Sequence, residues 1–429
     1  MTEAAAGIPA SYAQESLVRG ADASAVTVPA VVRFSGPVGI GRIRAVLAEL
    51  TDRHDALRTV LTRTADGRVL QRVHPAVTLP LTVTKHRESP ERLLPELLLS
   101  GSDAPFRLTG SLLARAELHT GGAAGQLLLI WMHHAVSDLI SSRLLAEEFG
   151  TLLARRALGP LGRSPARFAL EERAVRPTTR QWDFWSRTLE GADLLLGVDH
   201  PAGLPHQAVR PALPRLSPST VEGLERLAAA RRTTLTTVLA AAVFAAHAGD
   251  ATAGRAAIGL TVSNRDHPRL RSTVGCLADQ LPLAVDLGGR PTFGELVGRV
   301  REALIDAYDH RLPLGVLLPL LGRTEPPVFG VNLNFLPPPA NQPLPPAPDL
   351  PYGLTKRRAE PWWLGDAGLA YRPRIDGAGL AGEIEGDVHL QGAAEVGRRG
   401  ERFCALLAAV ATDPGLDVRT LAGVTAGRG

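Results

Sequence analysis

The chain has 429 residues, 45% of them apolar and 21% charged, with a formal net charge of +4. That length exceeds one ordinary hydrophobic core and implies two large domains, and the apolar fraction excludes a disordered chain. Lys85 and Lys356 are the only lysines, and the arginines lie scattered among acidic residues, which argues against the massed basic footprint of a nucleic-acid binder.

SYAQESLV at 11–18 predicts a short helix with Ser11 as its N-cap. The β-branched run VTVPAVVRFS at 26–35 predicts a strand. Ile43, Val46, Leu47 and Leu50 recur at helical spacing, in a helix that opens at Ile40 and runs toward RHDALRTVL at 53–61. Over 67–84, VLQRV and LTVT read as two strands around a proline-bearing turn. Residues 90–99 predict a helix, and LLARAELHT at 112–120 a strand that ends at the Gly-Gly turn of 121 and 122.

The next stretch, QLLLIWMHHAVSDL at 126–139, organises the chain. Leu127 to Met132 has the length and flanks of a buried strand. It ends in His133 and His134, and Asp138 follows four residues after the second. An imidazole titrates near working pH, so this arrangement points to proton handling. Two histidines and a carboxylate can also form a metal triad. Adjacent strand residues point to opposite faces, however, so His133 and His134 do not both enter one cavity, and no metal is expected. One histidine should face a cavity while the other packs behind it.

A helix over 140–156 carries Leu144, Leu145, Phe149, Leu152 and Leu153 along one side. Residues 158–180, with glycine, proline and five arginines from Arg163 to Arg180, form the best domain boundary. The aromatic helix at 180–191 follows, with Trp182 and Trp185 on one face, read as core packing. Helices at 218–231 and 234–248, a strand at 256–262, the apolar segment LPLAVDL, a helix at 292–309 and a strand at 329–335 come next. Residues 336–351 are proline-rich and read as an extended surface connector. Strands at 368–375 and 380–388 flank an Asp-Gly turn at 376 and 377, and a final helix spans about 393–412. This mixture indicates an α/β chain of layered α+β type.

Cys276 and Cys404 are too few for a disulfide framework. The N-terminus shows no secretory signal, and no apolar run reaches the ~20 residues of a membrane helix. A cytoplasmic location in a reducing compartment is the expectation.

Over nearly its whole length the chain resembles the condensation domains of nonribosomal peptide synthetases. MHHAVSDL at 132–139 resembles their signature of two histidines, three residues and Asp-Gly. SYAQESLV and RHDALRTVL resemble the first two motifs of the family. QWDFWSRTLEGADLLLGVDHP and SNRDHPRLRSTVGCLADQLPLAV are similar to later ones, and HRLPLGVLLPLL and VFGVNLNFLPPP more loosely to the last two. Several motifs in order carry more weight than the histidine signature, which other acyltransferases share.

The resemblance implies two chloramphenicol-acetyltransferase-like subdomains in a V, residues 1–172 and 173–429, with a central tunnel and a crossover strand within 352–380. Carrier-protein thioesters on phosphopantetheine arms would enter that tunnel, the acceptor being a small amine or alcohol or a second carrier; no cofactor would be bound. His134 matches the second histidine, a general base or a positioning partner, and His133 the first, a structural residue. Asp138 is expected to brace the loop through Arg265, and Arg58 to buttress the same region. Leu139, which replaces the motif glycine, and Asn334 are the tunnel candidates. Ser16 and Asp279 stand where the family has arginine and asparagine. The expectation is a free-standing condensation enzyme working in trans. The alternatives are an acyltransferase of the same superfold that uses CoA or polyketide carriers, and a degenerate domain that recruits other enzymes.

Overall fold

The computed structural model describes residues 7–19, 27–34, 36–102, 106–122, 125–195, 207–251, 254–323, 329–337 and 367–419. Most of the proline-rich segment, and the part of the expected crossover strand before residue 367, lie outside the described residues. The chain divides into two compact units. One runs to Val175 and also takes in Ser263–Asp279, and the other begins at Arg176.

The first unit contains β1 (Ile8–Pro9), α1 (Tyr12–Arg19), β2 (Thr27–Arg33), α2 (Ile40–Arg53), β3 (Thr59–Arg63), β4 (Val69–Val73), β5 (Leu81–His86), α3 (Pro90–Ser102), β6 (Ala114–Gly121), β7 (Gly125–His133), α4 (Leu139–Leu153) and α5 (Pro165–Ala174). Its main sheet has the order β2-β7-β6-β5. The strand β7 runs antiparallel to both neighbours, pairing Thr27 with His133 and Ala114 with Met132. Every residue from Leu127 to His133 is buried. Because alternate side chains face opposite sides, a continuous buried run means that both faces of this strand are covered. That explains why β7 reads as unbroken apolar sequence rather than as alternation.

VLQRV and LTVT both form strands but do not pair with one another. VLQRV is β4, in a small antiparallel sheet of order β1-β4-β3, whereas LTVT lies in β5, parallel to β6. The helix expected to run on toward Leu61 stops at Arg53. His54 is extended, a short 3-10 turn over Asp55–Arg58 follows, and the β-branched Thr59 and Val60 join the sheet opposite Val73 and Arg72. The stop is anchored to α4, since Arg53 and His54 both bond Glu148, at 3.0 and 2.6 Å.

The second unit contains α6 (Thr179–Leu189), β8 (Ala208–Val209), α7 (Pro218–Ala230), α8 (Leu235–Ala246), β9 (Arg255–Val262), β10 (Asp279–Asp286), α9 (Phe293–Asp309), α10 (Leu314–Leu317), β11 (Phe329–Leu333), β12 (Ala367–Asp376), β13 (Gly379–Asp387), α11 (Val388–Gln391) and α12 (Ala393–Val410). Its sheet order is β10-β9-β11-β12-β13-β8, with β9, β11 and β12 parallel to one another. The alanine-rich α8 is buried continuously from Thr237 to Ala246, with α7, α9 and α12 packed against it. Small side chains let all three approach. The β12–β13 hairpin turns at Gly377 and Ala378. Gly379 then adopts φ +115°, where a Cβ would lie 2.0 Å from the Leu216 carbonyl oxygen. Of the tryptophans expected to share a buried face, only Trp185 is fully buried, its Nε1 donating to the His310 carbonyl at 2.7 Å, while Trp182 remains 37% exposed.

Among the described residues no single helix is long and apolar enough to cross a membrane.

Candidate functional site

The end of β7 delivers the two histidines to different surroundings. His133 is fully buried; its Nδ1 accepts from the Ala135 amide at 3.0 Å, and its ring meets Phe106 edge-on at 6.2 Å between centroids. His134 opens a 3-10 turn over His134–Val136 and is half-buried. Its Nδ1 lies 2.7 Å from the Ser137 carbonyl oxygen. A carbonyl only accepts, so Nδ1 carries the hydrogen and Nε2 of the neutral ring keeps its lone pair. Among the described residues nothing is hydrogen-bonded to that Nε2.

Asp138 makes none of its hydrogen bonds to His134. It caps α4, accepting from the Ser141 amide at 2.9 Å and from the Ser141 hydroxyl at 2.8 Å. Its other partner is Arg265, in a two-pronged pair with Nη1 at 2.7 Å from Oδ2 and Nη2 at 3.0 Å from Oδ1. The Leu277 amide adds a further donor at 3.3 Å. With both side chains more than nine-tenths buried, the carboxylate is fully engaged in holding the segment 263–279 against α4. The ring orientation of His134 therefore comes from a backbone carbonyl, not from a carboxylate.

Leu139 occupies the first helical position of α4. It is absent from the residues with positive φ, so a branched side chain is accommodated there without backbone strain. Arg58 does not reach the histidine loop. Its guanidinium donates to the Thr51 carbonyl at 2.9 Å and to Asp55 at 2.8 Å, and also to the His74 carbonyl, stapling the corner after α2. Asn334 lies in the second unit, where its amide donates to the Tyr371 carbonyl at 2.8 Å and prolongs the β11–β12 ladder. The fully buried asparagine of that region is Asn332, which accepts from the Thr261 hydroxyl at 3.2 Å.

Three side chains escape the sequence reading. Ser141 contacts Asp138, Arg265 and both backbone groups of Gly275. Gln14 donates to the Ala135 carbonyl at 3.0 Å and so ties α1 to the histidine turn. Its Oε1 accepts from the Ser11 amide while the Ser11 hydroxyl accepts from the Gln14 amide, a reciprocal cap that Ser-x-x-Gln at 11–14 could have signalled. The third is Cys276, whose Sγ lies 3.9 Å from His134 Nδ1. Neither cysteine is in a disulfide. Among the described residues no group of three or more histidine, cysteine or carboxylate side chains could hold a metal ion.

A buried strand thus ends in this histidine turn, with a buried Asp–Arg pair behind it, and comparison with known proteins gives the family. The family model described as Condensation domain matches residues 15–342, and the chain belongs to that family. It is 31% identical over 332 residues to a protein of Salinispora arenicola described as "Probable non-canonical nonribosomal peptide synthetase (NRPS) CymA", covering 71% of this chain and 4% of that protein. It is 29% identical over 364 residues to the dimodular nonribosomal peptide synthase of Bacillus subtilis, covering 76% of this chain and 15% of that protein. The chain thus spans a small part of the length of these relatives. In fold it is similar to the X-domain from teicoplanin biosynthesis (TM-score 0.77, 23% identity, 98% of this chain and 97% of that one). It is also similar to the first condensation domain of the CDA synthetase (TM-score 0.73, 21% identity, 97% and 98%).

Proposed function

We propose that the protein is a condensation enzyme that joins an acyl or aminoacyl thioester, carried on the phosphopantetheine arm of a carrier protein, to an amine or alcohol. The product is an amide or an ester in natural-product biosynthesis. The observation that carries this reading is the His134 ring, tied through Nδ1 to the Ser137 carbonyl at 2.7 Å with Nε2 left as a base. A neutral imidazole whose Nδ1 carries the hydrogen offers the lone pair of Nε2 to a proton.

As the nucleophile attacks the thioester carbon, its proton passes to His134 Nε2. The tetrahedral adduct then collapses, the C–S bond breaks, and the sulfur leaves with a proton returned by the imidazolium. Asp138 and Arg265 hold the loop in place, and their mutual charge is already compensated. The phosphopantetheine belongs to the substrate, so the site needs no resident cofactor. The acceptor is a small amine or alcohol, or one presented by a second carrier protein. Leu139 avoids positive φ, so its replacement of the motif glycine brings no backbone strain that would favour a degenerate domain.

The test is mass-spectrometric turnover of acyl thioesters presented on carrier proteins and as CoA, with mixed amines and alcohols. Wild type and His134→Ala are compared. Carrier-dependent product that falls by about 10²-fold or more in the variant supports the reading. Equal turnover of CoA thioesters would replace it with a general acyltransferase. A complex of the X-domain with OxyB is known for a protein of similar fold. Binding to a synthetase or oxygenase with no product from any pair would replace the enzyme with a recruitment platform of that kind.

A further inference from the structure

The latch formed by Asp138, Ser141 and Arg265 does more than anchor a loop. The Ser141 hydroxyl accepts from the Gly275 amide at 2.9 Å and Arg265 Nη2 donates to the Gly275 carbonyl at 3.4 Å, so both backbone groups of that glycine are held. Gly275 is also close-packed on the side where a side chain would project, since a Cβ there would lie 2.7 Å from Pro165 Cγ. The residue that follows is Cys276, 4% exposed, with Sγ at 3.9 Å from His134 Nδ1. Nδ1 is the nitrogen whose hydrogen goes to the Ser137 carbonyl. A sulfur is a weak acceptor but a polarisable one, and here it lies beside an N–H whose charge grows when the ring takes a proton.

We propose that Cys276 is a positioning residue for His134, its sulfur being the second acceptor for Nδ1–H beside the Ser137 carbonyl. Together the two acceptors hold the ring in the tautomer and orientation that keep Nε2 available. The inference rests on the reading of His134 as the base, and it assigns to the segment 263–279 a part in the chemistry beyond bracing. No bond to sulfur forms or breaks.

The test is the ¹⁵N spectrum of the histidine side chains in histidine-labelled protein, recorded for wild type, Cys276→Ala and Cys276→Ser. The His134 signal, one of 12 histidines, is assigned by its loss in His134→Gln. Wild type should show protonated Nδ1 and bare Nε2. The alanine variant should show a mixture of tautomers, and kcat should fall about 3- to 10-fold at unchanged KM for the donor, the rate equivalent of one weak hydrogen bond. Serine supplies a replacement acceptor and should restore both the tautomer and most of the rate. Wild-type ¹⁵N shifts in Cys276→Ala, or a serine variant no better than alanine, would overturn the proposal. The spectrum needs no substrate, so it separates the two ideas. A tautomer that responds to Cys276 in a protein without turnover would sink the enzymatic reading and keep this one; His134-dependent turnover with an unresponsive tautomer would do the reverse.

Discussion

Removing the guanidinium behind the histidine turn should cost more than any other single change at the site. In Arg265→Ala the Asp138 carboxylate, with its side chain 7% exposed, loses donors at 2.7 and 3.0 Å. It keeps the Ser141 amide, the Ser141 hydroxyl and the Leu277 amide. The Thr273 carbonyl also loses the donor that Arg265 supplies at 3.0 Å. Deleting one partner of a buried pair costs about 3–5 kcal/mol, and the three surviving donors place this case near 3. For a unit of this size that is a drop of about 6–12 °C in the unfolding midpoint. Circular dichroism on heating and urea titration both read it. The decisive comparison is Asp138→Asn, which keeps the helix cap but removes the charge. In that background Arg265→Ala should cost about 1 kcal/mol or less, because no buried carboxylate is stranded. A loss that is the same in both backgrounds, or below about 1 kcal/mol in the first, would refute the account of the pair as a mutually neutralising latch.

Other expectations bear on each unit separately. Burial, with Asp279 adding repulsion, pushes the Glu172 carboxyl up to about 7, above the usual carboxylate range. The folded state therefore holds that proton more tightly than the unfolded chain, and this stabilisation, complete below about pH 4.3, is lost as pH rises through 7. Glu172→Gln, which keeps an acceptor for the Tyr12 amide, should flatten the pH dependence and exceed wild-type stability at pH 8 by about 1–3 kcal/mol in urea titrations. In the second unit, Tyr371→Phe removes the hydroxyl 3.0 Å from Nε2 of the fully buried His247, and should lower stability by about 1–2 kcal/mol on denaturant titration. In the first, Gly101→Ala would place a Cβ 2.0 Å from Cζ2 of the fully buried Trp131, so a loss of about 1–3 kcal/mol and a changed tryptophan fluorescence are expected.

The strand that carries the histidines was legible because its information is local. The buried positions Leu127–Met132 form an unbroken apolar run, and that run is visible without any knowledge of the neighbours. Strand alternation led to the expected divergence of His133 and His134, although β7 ends at His133 and it is the 3-10 turn that redirects His134; Ser11 as a cap followed from its place before a helical pattern. Arg265 as the partner of Asp138 was available only through resemblance to a family. No spacing rule connects two residues 127 positions apart. The end of α2 at Arg53 was misread because helical periodicity says little about where a helix stops. The anchor for that stop, Glu148, comes from α4, 95 residues later.

By itself, then, the amino-acid sequence determined the strands and helices, their buried faces and the delivery of two histidines to the end of one strand. These depend on side-chain periodicity and on contacts between near neighbours. Only the tertiary structure decided which nitrogen of His134 carries the hydrogen, that Asp138 is spent on Arg265 rather than on the imidazole, and that Cys276 sits against the ring. The physical reason is that hydrogen bonds and ion pairs act over a few ångströms of space, and the chain path alone brings distant residues within that range.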